Sequence, residues 1–118
     1  MNDSVLRDKS KEFAKEIIAM CKKANSTKVE NVLTNQLLRS GTSIGANIYE
    51  AQYAQSKLDF ISKFEIALKE CYESEYWLEL LNETGYIDEL EFKKLISCCK
   101  AIRHLIVASC KTLKGNLN

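Results

Sequence analysis

Apolar residues recur at helical spacing in four segments of the chain, with short polar breaks between them. In the first, from about Asp3 to Ala24, Leu6, Phe13, Ile17, Met20 and Cys21 share a stripe, and Lys9, Lys11, Lys15, Lys22 and Lys23 lie largely off it. That is the pattern of an amphipathic helix. Asn25-Ser26-Thr27-Lys28 breaks it. The second segment runs from about Val29 to Tyr53, with Val29, Leu33, Leu37, Ile44, Ile48 and Ala51 on one face. The same face holds Gln36, Ser40, Ser43 and Asn47, polar groups that need partners if they point inward.

The third segment opens at Ser56, whose spacing to Asp59 is that of a capping box with Asp in place of Glu. Ile61, Phe64, Leu68, Cys71 and Leu78 form its stripe, flanked by Tyr72 and Leu81. It ends near Thr84, where Gly85 can take a left-handed cap. The fourth has Asp88 as N-cap, Glu91 three residues on, and Ile87 and Phe92 as a hydrophobic staple. Leu95, Cys99, Ile102, Ile106, Cys110 and Leu113 form its buried stripe, with Lys93, Lys100, His104 and Lys111 opposite.

Long helices joined by short connections pack as antiparallel neighbours. The expected fold is all-α, an antiparallel up-down-up-down four-helix bundle, in one domain over residues 1–118. Composition agrees: there is no proline in 118 residues, so nothing forces a helix to break. No apolar run is long enough to cross a membrane. The N-terminus lacks the basic start and apolar stretch of a secretory signal. The expected location is the cytoplasm.

Charge is uneven along the chain. The net +1 is the remainder of +3 over residues 1–28, −1 over 29–56, −7 over 57–92 and +6 over 93–118. The basic fourth helix is the candidate nucleic-acid surface, through Lys93, Lys94, Lys100, Arg103, Lys111 and Lys114. The competing reading pairs these cations with the acidic third helix, within one subunit or between subunits.

Chemistry finds little support. The five cysteines form no CxxC pair, and there is a single histidine, so a zinc site lacks ligands. Glu70, Glu73 and Glu75 cluster, yet a di-iron bundle also needs Glu-x-x-His motifs, and Ala101 stands three before His104. The cluster reads as a solvated acidic face. No nucleophile elbow is present. The expectation is a non-enzyme with no metal or other cofactor. Gly41 and Gly45, four apart, suit close helix packing, a kink or a bound group. Arg39, Ser43, Asn47 and Glu50, with Gln36, form a polar row. It is either a pocket or a hydrogen-bond network that fixes helix register.

Gln36-Leu37-Leu38-Arg39 followed by Ser43-Ile44-Gly45-Ala46-Asn47-Ile48-Tyr49-Glu50-Ala51 resembles the signature of the four-helix-bundle proteins encoded in intervening sequences of bacterial 23S rRNA genes. Phe64-Glu65-Ile66-Ala67-Leu68, Glu73, Leu78 and Gly85-Tyr86-Ile87 extend the likeness. The resemblance implies a ring-forming bundle, typically a homopentamer, with Arg39, Ser43, Asn47 and Glu50 in structural roles. It also implies kinship with the accessory variability determinant of diversity-generating retroelements, which binds RNA and a reverse transcriptase through basic surfaces. Glu50-Ala51-Gln52-Tyr53-Ala54-Gln55 lacks the glycine and arginine usual in the family, and Lys69-Glu70 stands where many members have Gly-Ser. The expected function is that of a scaffold or accessory protein binding RNA or nucleoprotein. The alternative is a protein-docking module using Trp77, Tyr76, Tyr49 or Tyr53.

Overall fold

The computed structural model of the chain describes residues 3–23 and 28–115. They form four helices: α1 (Asp3–Lys23), α2 (Lys28–Ala51), α3 (Lys57–Glu83) and α4 (Glu89–Gly115). The polar break at 25–27 and the Val29 side chain, both read from the sequence, lie outside the described residues. Each helix packs on the next, and α4 closes against α1. Cross-helix pairs fix the directions. Arg7 meets Gln52 while Cys21 meets Thr34; Glu50 meets Lys63 while Ser40 meets Ser74; Glu65 meets Lys114 while Glu75 meets Arg103. Numbers rise on one helix as they fall on its neighbour, so successive helices are antiparallel. The result is the expected four-helix bundle, 50 Å long and about 20 Å across.

The core follows the apolar stripes. Leu6, Phe13, Ile17 and Met20 of α1 meet Leu37, Ile44, Ile48 and Ala51 of α2. Phe64, Cys71, Leu78 and Leu81 of α3 and Leu95, Cys99, Ile102 and Ile106 of α4 complete it. Burying side chains of this kind contributes roughly 1.5–3 kcal/mol each and is the main force holding the helices together. Cys21, Leu33, Leu68 and Leu113 are only half-buried, and Tyr72 is exposed. Ser10, Ser40, Ser74, Ser109 and Ala67 are buried although the stripes had not included them all. Small residues fit where two helix surfaces come nearest.

Gly41 shows this directly. A Cβ there would lie 3.2 Å from Ile17 Cγ1, so α1 approaches α2 closely at this level. At Gly45 the nearest atom to such a Cβ would be the Ser10 carbonyl oxygen at 3.5 Å, an ordinary contact.

The helix ends are built as the sequence predicts, with two adjustments. Ser56 Oγ accepts from Asp59 N–H at 3.1 Å, but the Asp59 carboxylate reaches back to Gln55 N–H rather than to Ser56. Helix α2 ends at Ala51 instead of Tyr53, because Gln52, Tyr53 and Ala54 bond three residues back and tighten into turns. At the α3–α4 corner Gly85 takes φ +83. Gly85 N–H bonds Asn82 O and Tyr86 N–H bonds Leu81 O, the paired bonds of a Schellman cap. Asp88 Oδ1 then accepts from Glu91 N–H at 2.7 Å and starts α4.

Candidate nucleic-acid interface

Helix α4 carries six basic and two acidic groups, and α1 six basic and four acidic. The two helices are neighbours because the fourth closes the bundle against the first. At their seam Lys9, Glu12 and Glu16 of α1 face Ser97, Cys98 and Ala101 of α4, with Lys94 3.6 Å from Glu16. Helix α3, with seven acidic groups against three lysines, packs on α2 and α4 instead.

The six cations of α4 divide by environment. Lys93, Lys100 and Lys111 are exposed, with His104 among them, and no ion pair holds them among the described residues. Arg103 is different. Its Nε donates to Glu75 Oε2 at 2.7 Å, its guanidinium lies 5.1 Å from the Tyr72 ring centre, and its side chain is only 19% exposed. Hydrogen bonding to Glu75 stabilises its charged form. Lys114 pairs with Glu65 at 2.6 Å, and Lys94 sits 3.6 Å from Glu16. Half of the candidate surface is thus engaged within the subunit. Among the described residues the α4 cations without an ion pair are Lys93, Lys100 and Lys111, and exposed Lys9, Lys11, Lys15, Lys22 and Lys23 stand on α1.

The polar row of α2 is a ladder rather than a pocket. Ser43 Oγ donates to Arg39 O at 2.7 Å, and Asn47 Nδ2 donates to Ser43 O at 2.8 Å. Its two ends reach across to α3. Arg39 bonds Glu70 at 2.9 Å and also Glu73, and Lys63 bonds Glu50 at 3.2 Å. Gln36 is exposed and departs from the inward placement expected of it, since Leu37 beside it takes the buried position. Glu73 accepts from Trp77 Nε1 at 2.9 Å as well. The Trp77 bond and then the Arg39 bond hold the Glu73 carboxyl below its ordinary range. Glu70, Glu73 and Glu75 are therefore ion-paired struts between helices, not the solvated acidic face expected from their clustering. Among the described residues no group of His, Cys, Asp and Glu could hold a metal ion.

All five cysteines are free thiols. Burial pushes Cys21 up to about 11. The buried Cys99 thiol donates to Cys71 O at 3.4 Å, and contact with Cys71 followed by burial raises its pKa strongly. High pKa values keep both as thiols, poor nucleophiles at neutral pH. No helix among the described residues is long and apolar enough to cross a membrane.

Sequence reasoning missed the Ser40–Ser74 contact between α2 and α3. The signal was present, since both serines sit at core spacing beside Leu37 and Cys71, but only the bundle shows that they face each other. It also missed the groove between α1 and α4, which depends on helices distant in sequence.

A crystal structure of a protein with unknown function from the S23 ribosomal protein family of Bacteroides thetaiotaomicron VPI-5482 matches this fold with a TM-score of 0.90. It is 48% identical, and the match covers 94% of this chain and 99% of that one. No curated protein matches the chain. The sequence pattern of the 23S rRNA-intervening sequence protein family matches residues 2–108, spanning all four helices up to Ala108 of α4. Motif, bundle and this match agree, and the chain belongs to the 23S rRNA-intervening sequence protein family.

Proposed function

We propose that the protein is a non-enzymatic scaffold or accessory protein that binds RNA or a ribonucleoprotein through the basic surfaces of α1 and α4. The observation that carries this reading is the packing of the two basic helices side by side, with Lys93, Lys100 and Lys111 exposed and without an ion pair among the described residues. Clustered, unpaired cations gain from releasing the counterions of a phosphate backbone, whereas ion-paired ones must first give up a partner. The non-enzymatic part is supported by the polar row, whose Ser43 and Asn47 bond back to the α2 backbone and whose Arg39 and Glu50 pair with α3.

We further propose that copies assemble into a ring, a homopentamer as the family resemblance implies. Acidic α3 lies diagonal to basic α1 and keeps Glu79 and Glu83 exposed, and a basic face of one copy meeting an acidic face of the next suits a heterologous interface that closes. A ring would multiply a modest basic patch through effective concentration. A nucleic-acid-processing protein such as a reverse transcriptase is a partner of the same kind. The test is binding of a structured RNA at about 50 and 200 mM salt, with native mass measurement of the assembly. The expected result is a ring whose affinity falls steeply with salt. Absence of binding at low salt would overturn the RNA reading, and a monomer would overturn the ring.

A second reading has its own observation. Tyr49, Tyr53 and Tyr76 are each more than half exposed, and aromatic residues are common anchors at protein interfaces. A pull-down whose partner resists nuclease treatment and is lost on replacing these tyrosines would favour a protein-docking module without RNA.

A further inference from the structure

Helices α1 and α2 leave a groove along their outer seam. It consists of two hollows of about 500 Å³ each, which meet at Thr42. Ala14, Gly45 and Ala46 line the first with small side chains, and Ile18 and Leu38 line the second. Small residues let another helix come close. Two large side chains of the groove stand open to solvent, Ile18 at 40% and Tyr49 at 54% exposure, and covering such surface is favourable.

The charge of the groove is one-sided. Every residue that α2 contributes to it is uncharged, whereas α1 supplies three cations, Arg7, Lys11 and Lys22, and one acid, Asp8. Lys11 and Lys22 are exposed and hold no ion pair among the described residues. The occupant that suits this groove is a helix face that is partly apolar and carries acids.

The chain itself has such a face. Tyr72, Tyr76, Glu79 and Glu83 of α3 recur at steps of four, three and four, so they form one stripe along the helix. Both tyrosines are more than half exposed, and both glutamates are exposed. Glu79 and Glu83 hold no ion pair among the described residues, while Glu65, Glu70, Glu73 and Glu75 of the same helix all do. Tyr76 packs edge-on against Trp77 with ring centres 5.1 Å apart, and Tyr72 lies against Arg103, so both rings are held before any partner arrives. Docking a ring already in place loses little side-chain freedom. Helix α3 lies diagonal to α1 and does not touch it, so the stripe cannot reach the groove of its own copy.

We propose that the α1–α2 groove of one copy receives the Tyr72, Tyr76, Glu79 and Glu83 stripe of a second copy, with the tyrosines in the groove and the glutamates toward Lys11 and Lys22. The inference rests on the ring reading above and names the two faces that meet. Groove and stripe are different patches of one chain, so the contact is heterologous and repeats from copy to copy. It uses none of the α4 cations.

Native mass measurement of the full-length protein and of charge-reversed variants tests it. Lys11→Glu with Lys22→Glu reverses the groove, and Glu79→Lys with Glu83→Lys reverses the stripe. Each pair should reduce the assembly to monomer while leaving thermal unfolding in place, because all four side chains are exposed. Combining the four substitutions in one chain exchanges the signs across the contact and should restore the assembly. Ala46→Trp fills the groove without changing its charge and should also give monomer. An assembly that survives both reversals and Ala46→Trp would overturn the docking and leave the ring reading standing. Reversals that give monomer and are not rescued by their combination would overturn the docking as well. An unaltered protein that is itself a monomer would overturn both.

Discussion

Ser40 of α2 and Ser74 of α3 meet with their hydroxyl oxygens 2.8 Å apart, and neither side chain is exposed. Ser40 Oγ also lies 3.3 Å from Leu37 O. The two hydroxyls are polar groups inside an apolar stripe, and each supplies the other's partner. Replacing either by alanine leaves a buried hydroxyl short of one bond, at a cost of about 1–2 kcal/mol. Replacing both should cost less than the sum, with a coupling of roughly 0.5–1.5 kcal/mol in a double-mutant cycle. Urea unfolding of the four proteins measures this. Strict additivity would show that the pair contributes no coupling.

Arg39 and Glu73 give stability a pH dependence of known sign. Glu73 in the folded protein titrates below the ordinary glutamate value of 4.5, through Trp77 and then Arg39. The contribution is therefore complete above that value and is lost as the pH falls through the lower, folded value. Arg39 is half exposed, so solvent weakens the pair, and Arg39→Met should cost only a few tenths to about 1 kcal/mol at neutral pH. The two proteins should converge in stability as acid protonates Glu73 in both. Trp77, the single tryptophan, donates to the same carboxylate and provides the fluorescence readout.

Three glycines should respond to alanine in three different ways. Gly85 holds φ +83, so Gly85→Ala forces a side chain into the left-handed region and destabilises by about 1 kcal/mol. Gly45 has ordinary contact distance around a new methyl, so Gly45→Ala should stabilise by roughly 0.5–1 kcal/mol through helix propensity. At Gly41 the same gain is opposed by the 3.2 Å approach to Ile17, and the net change should fall below that of Gly45→Ala. Thermal unfolding of the three variants orders them. A Gly41→Ala protein more stable than Gly45→Ala would show that the α1–α2 contact yields freely.

The basic residues of α4 should separate binding from stability. Lys100→Ala and Lys111→Ala remove exposed cations and should change stability by no more than about 0.5 kcal/mol. On the RNA-binding reading each lowers the salt dependence by about one phosphate contact. Arg103→Ala breaks a largely enclosed pair with Glu75 and a ring contact with Tyr72, and should cost about 1–2 kcal/mol. Chemical unfolding beside RNA titration at several salt concentrations checks both. A Lys100 variant as destabilised as Arg103→Ala would show that Lys100 also holds the bundle together.

Much of the fold could be read from local pattern. Ser56, Gly85 and Asp88 mark helix ends through bonds made within a few residues, and the structure has all three. The stripes predicted which side of each helix is buried, because helical period is a property of one element. The reading failed where a group's partner sits on another helix. Glu70, Glu73 and Glu75 looked solvated because Arg39 and Arg103 are about thirty residues away in sequence. Gln36 looked inward because its spacing allowed it, and only the position of α2 against its neighbours turned it out.

Four helices, the caps at Ser56, Gly85 and Asp88, the apolar faces and an antiparallel order were legible in the chain. These follow from propensity, capping and short connections, all of which act over a few residues. Tertiary structure decided which charges meet. It set α1 beside α4, engaged Arg103, Lys94 and Lys114, and left Lys93, Lys100 and Lys111 exposed. Electrostatic and hydrogen-bond partnerships depend on distances of a few ångströms between remote segments. Those distances exist only once the apolar stripes have packed.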